Sequence, residues 1–310
     1  MYFPYLRGKQ FELIALRELA PTILDPNKII PILEPLKRNV SGLKTALRIL
    51  NKAGVRVQLI INPEHGELKD KSDILINLVQ ELVIENITNI IPTFLVNSDK
   101  DFILVQSAIQ QNGFDETGYA LVHINQIRET DRLSALTKST NCLFNTIQVN
   151  HLIALKRKYG NRSFLSDNFK KQRVNADYIG IPDEVFSSDY LYYSGEGCIA
   201  FSDYQIIGVD YVEGGGAALA VAIHLTYKDP HSDDIRIAHF VSDSNGDRND
   251  PGGKFFEALS KLIVFVDNHQ IDSLAIRQFR DYYDRQAFPG LGVSKKLSIM
   301  HHIELVQSLI

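Results

Sequence analysis

The chain has 310 residues, 45% of them apolar and 23% charged, with a formal net charge of −4. That balance excludes a disordered polyelectrolyte and a globally basic nucleic-acid or membrane binder, and suits one large domain or a barrel with an insertion. The two cysteines, Cys142 and Cys198, are too few for a disulfide framework or a cysteine-rich zinc site, so a reducing cytoplasm is the expected compartment.

Residues 1–7 lack the charged and apolar regions of a signal peptide, and no stretch reaches the roughly 18 apolar residues of a membrane helix. Strand one is expected over 2–6, and a helix over 10–19 from the spacing of Phe11, Ile14, Ala15 and Leu19. Strand two, 28–33, is apolar on both faces, although Pro31 cannot donate to a ladder. Ser41 is a plausible N-cap for a helix ending at Gly54. Strand three covers 55–61, a helix 70–85, strand four 89–96, and a further helix 99–111 ahead of Gly113. The phrases around Pro31 and Pro92 match as a weak internal repeat.

Strand five follows over 119–124, a short helix over 129–137, strand six over 143–149, a helix over 151–158 and a short strand seven over 163–165. Residues 177–193 fit either a strand or a helix begun by Pro182, and read as an element outside the barrel. Strand eight, 198–201, ends at Ser202-Asp203-Tyr204. Beyond it the rhythm becomes a hairpin (217–227 with 235–241) and two helices, 251–268 and 294–309, the last capped by Ser294. The expected fold is α/β: a (β/α)₈ TIM-like barrel over 1–204 with a C-terminal α+β extension over 205–310.

The eight apolar runs stop at Arg7, Glu34, Asn62, Asn97, Asn125, Asn150, Asp167 and Asp203. In such a barrel, strand ends carry the reactive groups. Arg7 and Lys9 flank Gly8 and suit a phosphate or carboxylate. Glu34, fixed by Pro35, is a candidate general base, with a structural ion pair to Arg7 or Lys37 as the alternative. Glu34, Asp167 and Asp203 together form a candidate catalytic set and a ligand set for Mg²⁺ or Mn²⁺. Asn62, Asn125, Asn150 and His301 are candidate substrate contacts, though asparagine also simply favours turns. Glu64, His65 and Glu67 match no zinc spacing and read as exposed loop residues; His123 reads as a satisfied core group.

The remaining motifs are weaker. The loop 213–216 lacks the lysine of a P-loop, and 289–296 lacks the dinucleotide fingerprint. Residues 251–254 open a helix whose free N–H groups suit an anion, although most such starts bind water. His301 and His302, about 100° apart on one helix, cannot share a metal as an i, i+4 pair would; one is expected to reach the barrel mouth. The basic runs 156–158 and 170–173 read as solvated faces, so nucleic acid is disfavoured as a partner.

The opening Met-Tyr-Phe-Pro-Tyr-Leu-Arg-Gly-Lys-Gln-Phe-Glu and the later Ile-Ile-Pro-Ile-Leu-Glu-Pro resemble the "beta protein" family of bacteria and phages, in its uncharacterised bacterial branch. The Phe201-Ser202-Asp203-Tyr204 stretch and the His301-His302-Ile303 ending extend the likeness. The resemblance implies a barrel-like fold and a role in phage defence, and transfers no catalytic residue. Two functional expectations follow. One is an enzyme or enzyme-derived sensor for an anionic, phosphoester or nucleotide-like ligand. The other is a non-catalytic assembly module that uses 205–310 as a protein-partner surface.

Overall fold

The computed structural model describes residues 1–128, 130–148, 159–211 and 219–310. Asn150, the predicted helix over 151–158, the basic run 156–158 and the loop 213–216 lie outside the described residues. The strands are β1 (Tyr2–Leu6), β2 (Ile32–Leu33), β3 (Val57–Ile60), β4 (Ile90–Val96), β5 (Tyr119–His123), β6 (Cys142–Gln148), β7 (Arg162–Ser166), β8 (Asp183–Ser187), β9 (Ala200–Asp203), β10 (Ala222–Lys228) and β11 (Ile235–Val241). The helices are α1 (Gln10–Leu19), α2 (Ser41–Lys52), α3 (Ser72–Ile84), α4 (Asp99–Gln111), α5 (Phe114–Thr117), α6 (Thr130–Thr137), α7 (Asp189–Tyr192), α8 (Pro251–Asn268), α9 (Leu274–Asp284) and α10 (Leu291–Leu309).

β1 to β7 and β9 close into an eight-stranded parallel barrel in sequence order, sealed where Tyr2, Phe3 and Pro4 pair with Phe201, Ser202 and Asp203. This is the (β/α)₈ TIM-like architecture. Side chains alternate between two cores, as a pleated strand dictates. Phe3, Tyr5, Ile32, Ile60 and Tyr204 fill the barrel. Tyr2, Leu6, Leu33, Leu59 and Phe201 face the outer helices. β2 is only two residues long. Pro31, just before it, has no N–H to donate, and only its carbonyl joins the ladder, accepting from Gln58 N at 2.9 Å.

The second layer departs from a simple C-terminal extension. β10 and β11 form the predicted hairpin, but β8, from the β7–β9 connection, adds to the far side of β11. The three-stranded sheet therefore joins chain from both sides of residue 204. α8 packs on β10, β11 and α9, while α10 packs on α1, β1, β10 and α9.

α10 is buried nearly all round, including Ser298, His301 and His302, because it lies between barrel and sheet. It starts at Leu291, so Ser294 is not its cap but a buried residue of the first turns. Gly292 lets that first turn lie on α1, since a Cβ there would fall 2.1 Å from the Phe11 ring. α9 was not expected from the sequence; its signal is the Ser273 cap, which accepts from Ile276 N, ahead of Ala275, Ile276 and Phe279. Among the described residues, no helix is long and apolar enough to cross a membrane.

Candidate functional site

Strand parity sends Arg7, Glu34 and Asp167 inward at the C-terminal mouth, two residues beyond Tyr5, Ile32 and Leu165 of the inner core. Tyr204 sits among them, buried, tilted against the Tyr5 ring at 4.8 Å, with the Arg7 guanidinium 5.7 Å from its centroid. Burial first, and then the carboxylates of Glu34, Asp167 and Glu64, push the Tyr204 phenol up, while Arg7 opposes them. Four charged groups from four strand ends thus act on one phenol.

Glu34 is an organising residue. One carboxylate oxygen accepts from the Tyr5 hydroxyl at 3.0 Å; the other accepts from Glu64 N at 3.0 Å and lies 3.3 Å from His65 Nδ1. These contacts fold the loop after β3 over the mouth. They bring in Glu64 and His65, which sequence reasoning had assigned to an exposed loop. Glu64 accepts from Asn97 Nδ2, and Asn97 accepts from Asn125 Nδ2, so a polar chain follows the ends of β3, β4 and β5. Burial, reinforced by the Glu34 charge, raises the Glu64 carboxyl above its ordinary range. The signal that would have found Glu64 is Pro63: fixing the turn after the β3 end-residue Asn62, it returns the chain towards the mouth.

Arg7 does not clamp a ligand with its terminal nitrogens. NH1 donates to the carbonyl of Gly208 at 2.9 Å, and NH2 donates to that of Val209. Asp167 accepts from the backbone N–H groups of Val209 and Phe169, and burial raises its carboxyl. Arg7 and Asp167 therefore hold the loop after β9, which carries Tyr211 over the mouth. There Tyr211 lies 4.8 Å from the His65 ring and 5.0 Å from Lys9 Nζ. Asn62 is likewise committed, exchanging both amide hydrogen bonds with the Leu95 backbone.

Two nominated residues face elsewhere. Asp203 has the opposite strand parity and points outward. It accepts from Tyr2 OH at 2.7 Å and from Gln205 N at 3.0 Å, and lies 3.2 Å from His302 Nε2 of α10. His301 is enclosed between Ser273 Oγ (2.9 Å) and the Thr226 carbonyl (2.8 Å), and burial lowers its imidazole to about 4. Neither reaches the mouth, because α10 lies outside the barrel wall. The Glu34–Asp167–Asp203 set for Mg²⁺ or Mn²⁺ is accordingly not assembled: Asp203 is on the wrong face. Among the described residues no group of three His, Cys, Asp or Glu side chains could hold a metal ion.

Beside Arg7 and Lys9 lies a cavity of about 420 Å³, between the end of β1, the segment after β7, the start of β10 and the start of α10. Arg7, Lys9, Lys171, Arg173 and Lys295 contribute to its wall against the carboxylates Glu12 and Asp210. Lys171 and Arg173 belong to the basic run 170–173 and are both exposed, as expected of a solvated face, at the edge of this cavity. Comparison with family models, with curated proteins and with solved structures finds no match to this chain.

Proposed function

We propose that this chain is a barrel enzyme or enzyme-derived sensor whose ligand is a small anion of the phosphoester class, bound beside the barrel mouth. The observation that carries the reading is the convergence of five cations, from three separate segments, on one cavity of ligand size in a chain of net charge −4. Glu64, its carboxyl raised by burial and by Glu34, lines a separate recess with Asn62, His65 and Asn97, so the anion cavity is assigned a binding role. The setting in phage defence is carried by the sequence resemblance.

The assembly-module reading expects a continuous exposed apolar patch on 205–310. The large exposed apolar side chains described there are Leu219, Val264, Phe288 and Leu291, and the cation-lined cavity favours the ligand reading. The test is a thermal-shift series with phosphate and pyrophosphate against chloride at constant ionic strength. Both anions are expected to raise the melting temperature of the wild type, and less so that of Lys171→Gln. No rise with either anion sinks the proposal.

A further inference from the structure

The cavity beside Lys9 ends on the first turns of α10, a 19-residue helix whose N-cap, Gly290, supplies no side-chain hydrogen bond and whose first turn holds no acidic residue. A helix start leaves N–H groups without intrahelical acceptors and carries a positive partial charge. Acidic side chains ordinarily answer that charge. Here Lys295 stands in the second turn, open to the cavity, with Lys9, Arg7 and Lys171 around it.

Two residues of the cavity lining also carry buried polar atoms. Ser294 is 6% exposed and Arg7 is 4% exposed; both line the cavity. Ser294 Oγ and Arg7 Nε have no hydrogen-bond partner among the described residues. A buried hydroxyl without a partner is disfavoured unless something completes it. A donor hydroxyl, a guanidinium N–H, an uncapped helix start and surrounding ammonium groups share one complement, a compact polyvalent oxyanion.

Another stretch of the wall differs in kind. Phe169, Tyr178 and His224 form a mutually packed ring cluster, with centroid separations of 5.1 Å for Phe169–His224 and 4.7 Å for Tyr178–His224. Val221 and Ile223 flank them. His224 Nδ1 is engaged with His239 Nδ1 at 2.7 Å, and burial, followed by His239 and Lys295, lowers its imidazole to about 3. His224 therefore adds no charge to that stretch of the wall. A volume of about 420 Å³ also leaves most of the space beyond what a phosphoryl group fills.

Resting on the anion-binding reading above, we propose that the cavity takes a phosphomonoester carrying a planar ring, of nucleoside monophosphate size. Its phosphoryl group lies on the α10 start with Ser294, Lys295 and Lys9. Its ring lies along the Phe169–Tyr178–His224 wall.

The experiment is calorimetric titration of the full chain with adenosine 5′-monophosphate, phenyl phosphate, ribose 5-phosphate, adenosine and inorganic phosphate. The two ring-bearing phosphates are expected to bind at least about tenfold more tightly than ribose 5-phosphate, phosphate or adenosine. Lys295→Gln and Ser294→Ala should each weaken adenosine monophosphate by about tenfold, as loss of a hydrogen bond to a charged group requires. Ser294→Ala should leave the ligand-free melting temperature unchanged or higher, which separates a lost contact from a damaged fold. Equal binding of all the phosphates overturns the ring-bearing ligand and leaves the anion reading standing. Undiminished affinity in both variants overturns the α10 placement. No binding of any phosphate overturns both this proposal and the function it rests on.

Discussion

Removing the Asp203 carboxylate should unfasten α10 from the barrel while leaving anion binding intact. Asp203 Oδ1 accepts from Tyr2 OH at 2.7 Å and from Gln205 N at 3.0 Å, and its Oδ2 faces His302 Nε2 at 3.2 Å. The far nitrogen of His302 lies 2.9 Å from Thr226 Oγ1 on β10, so one imidazole joins barrel wall, helix and sheet. Tyr2 and His302 are both fully enclosed, so water cannot replace the lost acceptor. Each buried donor left unsatisfied costs about 1–3 kcal/mol, which puts Asp203→Ala at a loss of about 4 kcal/mol. Against a typical total of about 5–15 kcal/mol, that is a large fraction of the stability. Asp203→Asn keeps the volume and one acceptor and should lose about half as much. The chain has no tryptophan, so the assay is urea unfolding followed by far-ultraviolet circular dichroism. Paired with His302→Leu, the double variant should lose less than the sum of the two single losses, because both remove one contact. A loss below about 1 kcal/mol for Asp203→Ala would refute the fastening role. Loss of the phosphate-induced thermal shift in a still-folded Asp203→Ala would return Asp203 to the ligand site.

Three further outcomes follow from the same geometry. Gly66 has φ +74°, and a Cβ there would lie 2.5 Å from the Leu36 carbonyl oxygen, so Gly66→Ala should lose at least about 2 kcal/mol, read as a fall in melting temperature. Glu34→Gln removes the charge that, after burial, most raises Glu64; carboxyl NMR should show Glu64 titrating lower in the variant, and an unchanged titration would place the two carboxylates in separate environments. Lys295 is lowered first by desolvation and then by Lys9, Arg7 and Lys171, with Glu12 opposing and His224 also facing it. A lowered lysine binds fewer protons folded than unfolded, so its unfavourable contribution is present below its folded pKa and fades as pH rises through it. A bound anion reverses that shift. Phosphate affinity should therefore be greatest below the folded pKa of Lys295 and fall as pH rises through it, a slope that Lys295→Gln flattens.

The barrel was legible from the chain because its signals are local. Apolar runs of strand length stop on polar residues at turns, helical spacing fills the intervals, and parallel strands joined through helices close in order. The position of Arg7, Glu34 and Asp167 at strand ends followed from the same rhythm, since strand ends of a barrel meet at one mouth. What the local pattern could not supply was parity. Tyr2 and Phe3, or Phe201 and Ser202, are compatible with either face, because a barrel strand is buried on both sides. Asp203 therefore read as a mouth residue although it points at His302.

The other tertiary decisions were made by chain segments far apart in sequence. β8 left the barrel for the β11 edge, although its short, mixed segment fits several partners. His301 was enclosed because α10 runs between barrel and sheet, a position no property of the helix itself announces. Glu64 became a mouth residue through its own backbone N–H, which donates to Glu34 across 30 positions. The cationic cavity gathers Lys9, Lys171 and Lys295 from three segments that only the packed fold places together. The sequence by itself determined the elements, their order and the polar residues at their ends, because periodicity and turn chemistry act over a few residues. The tertiary structure alone decided which of those residues share a space, because that depends on side-chain parity and on long-range closure, and neither is encoded locally.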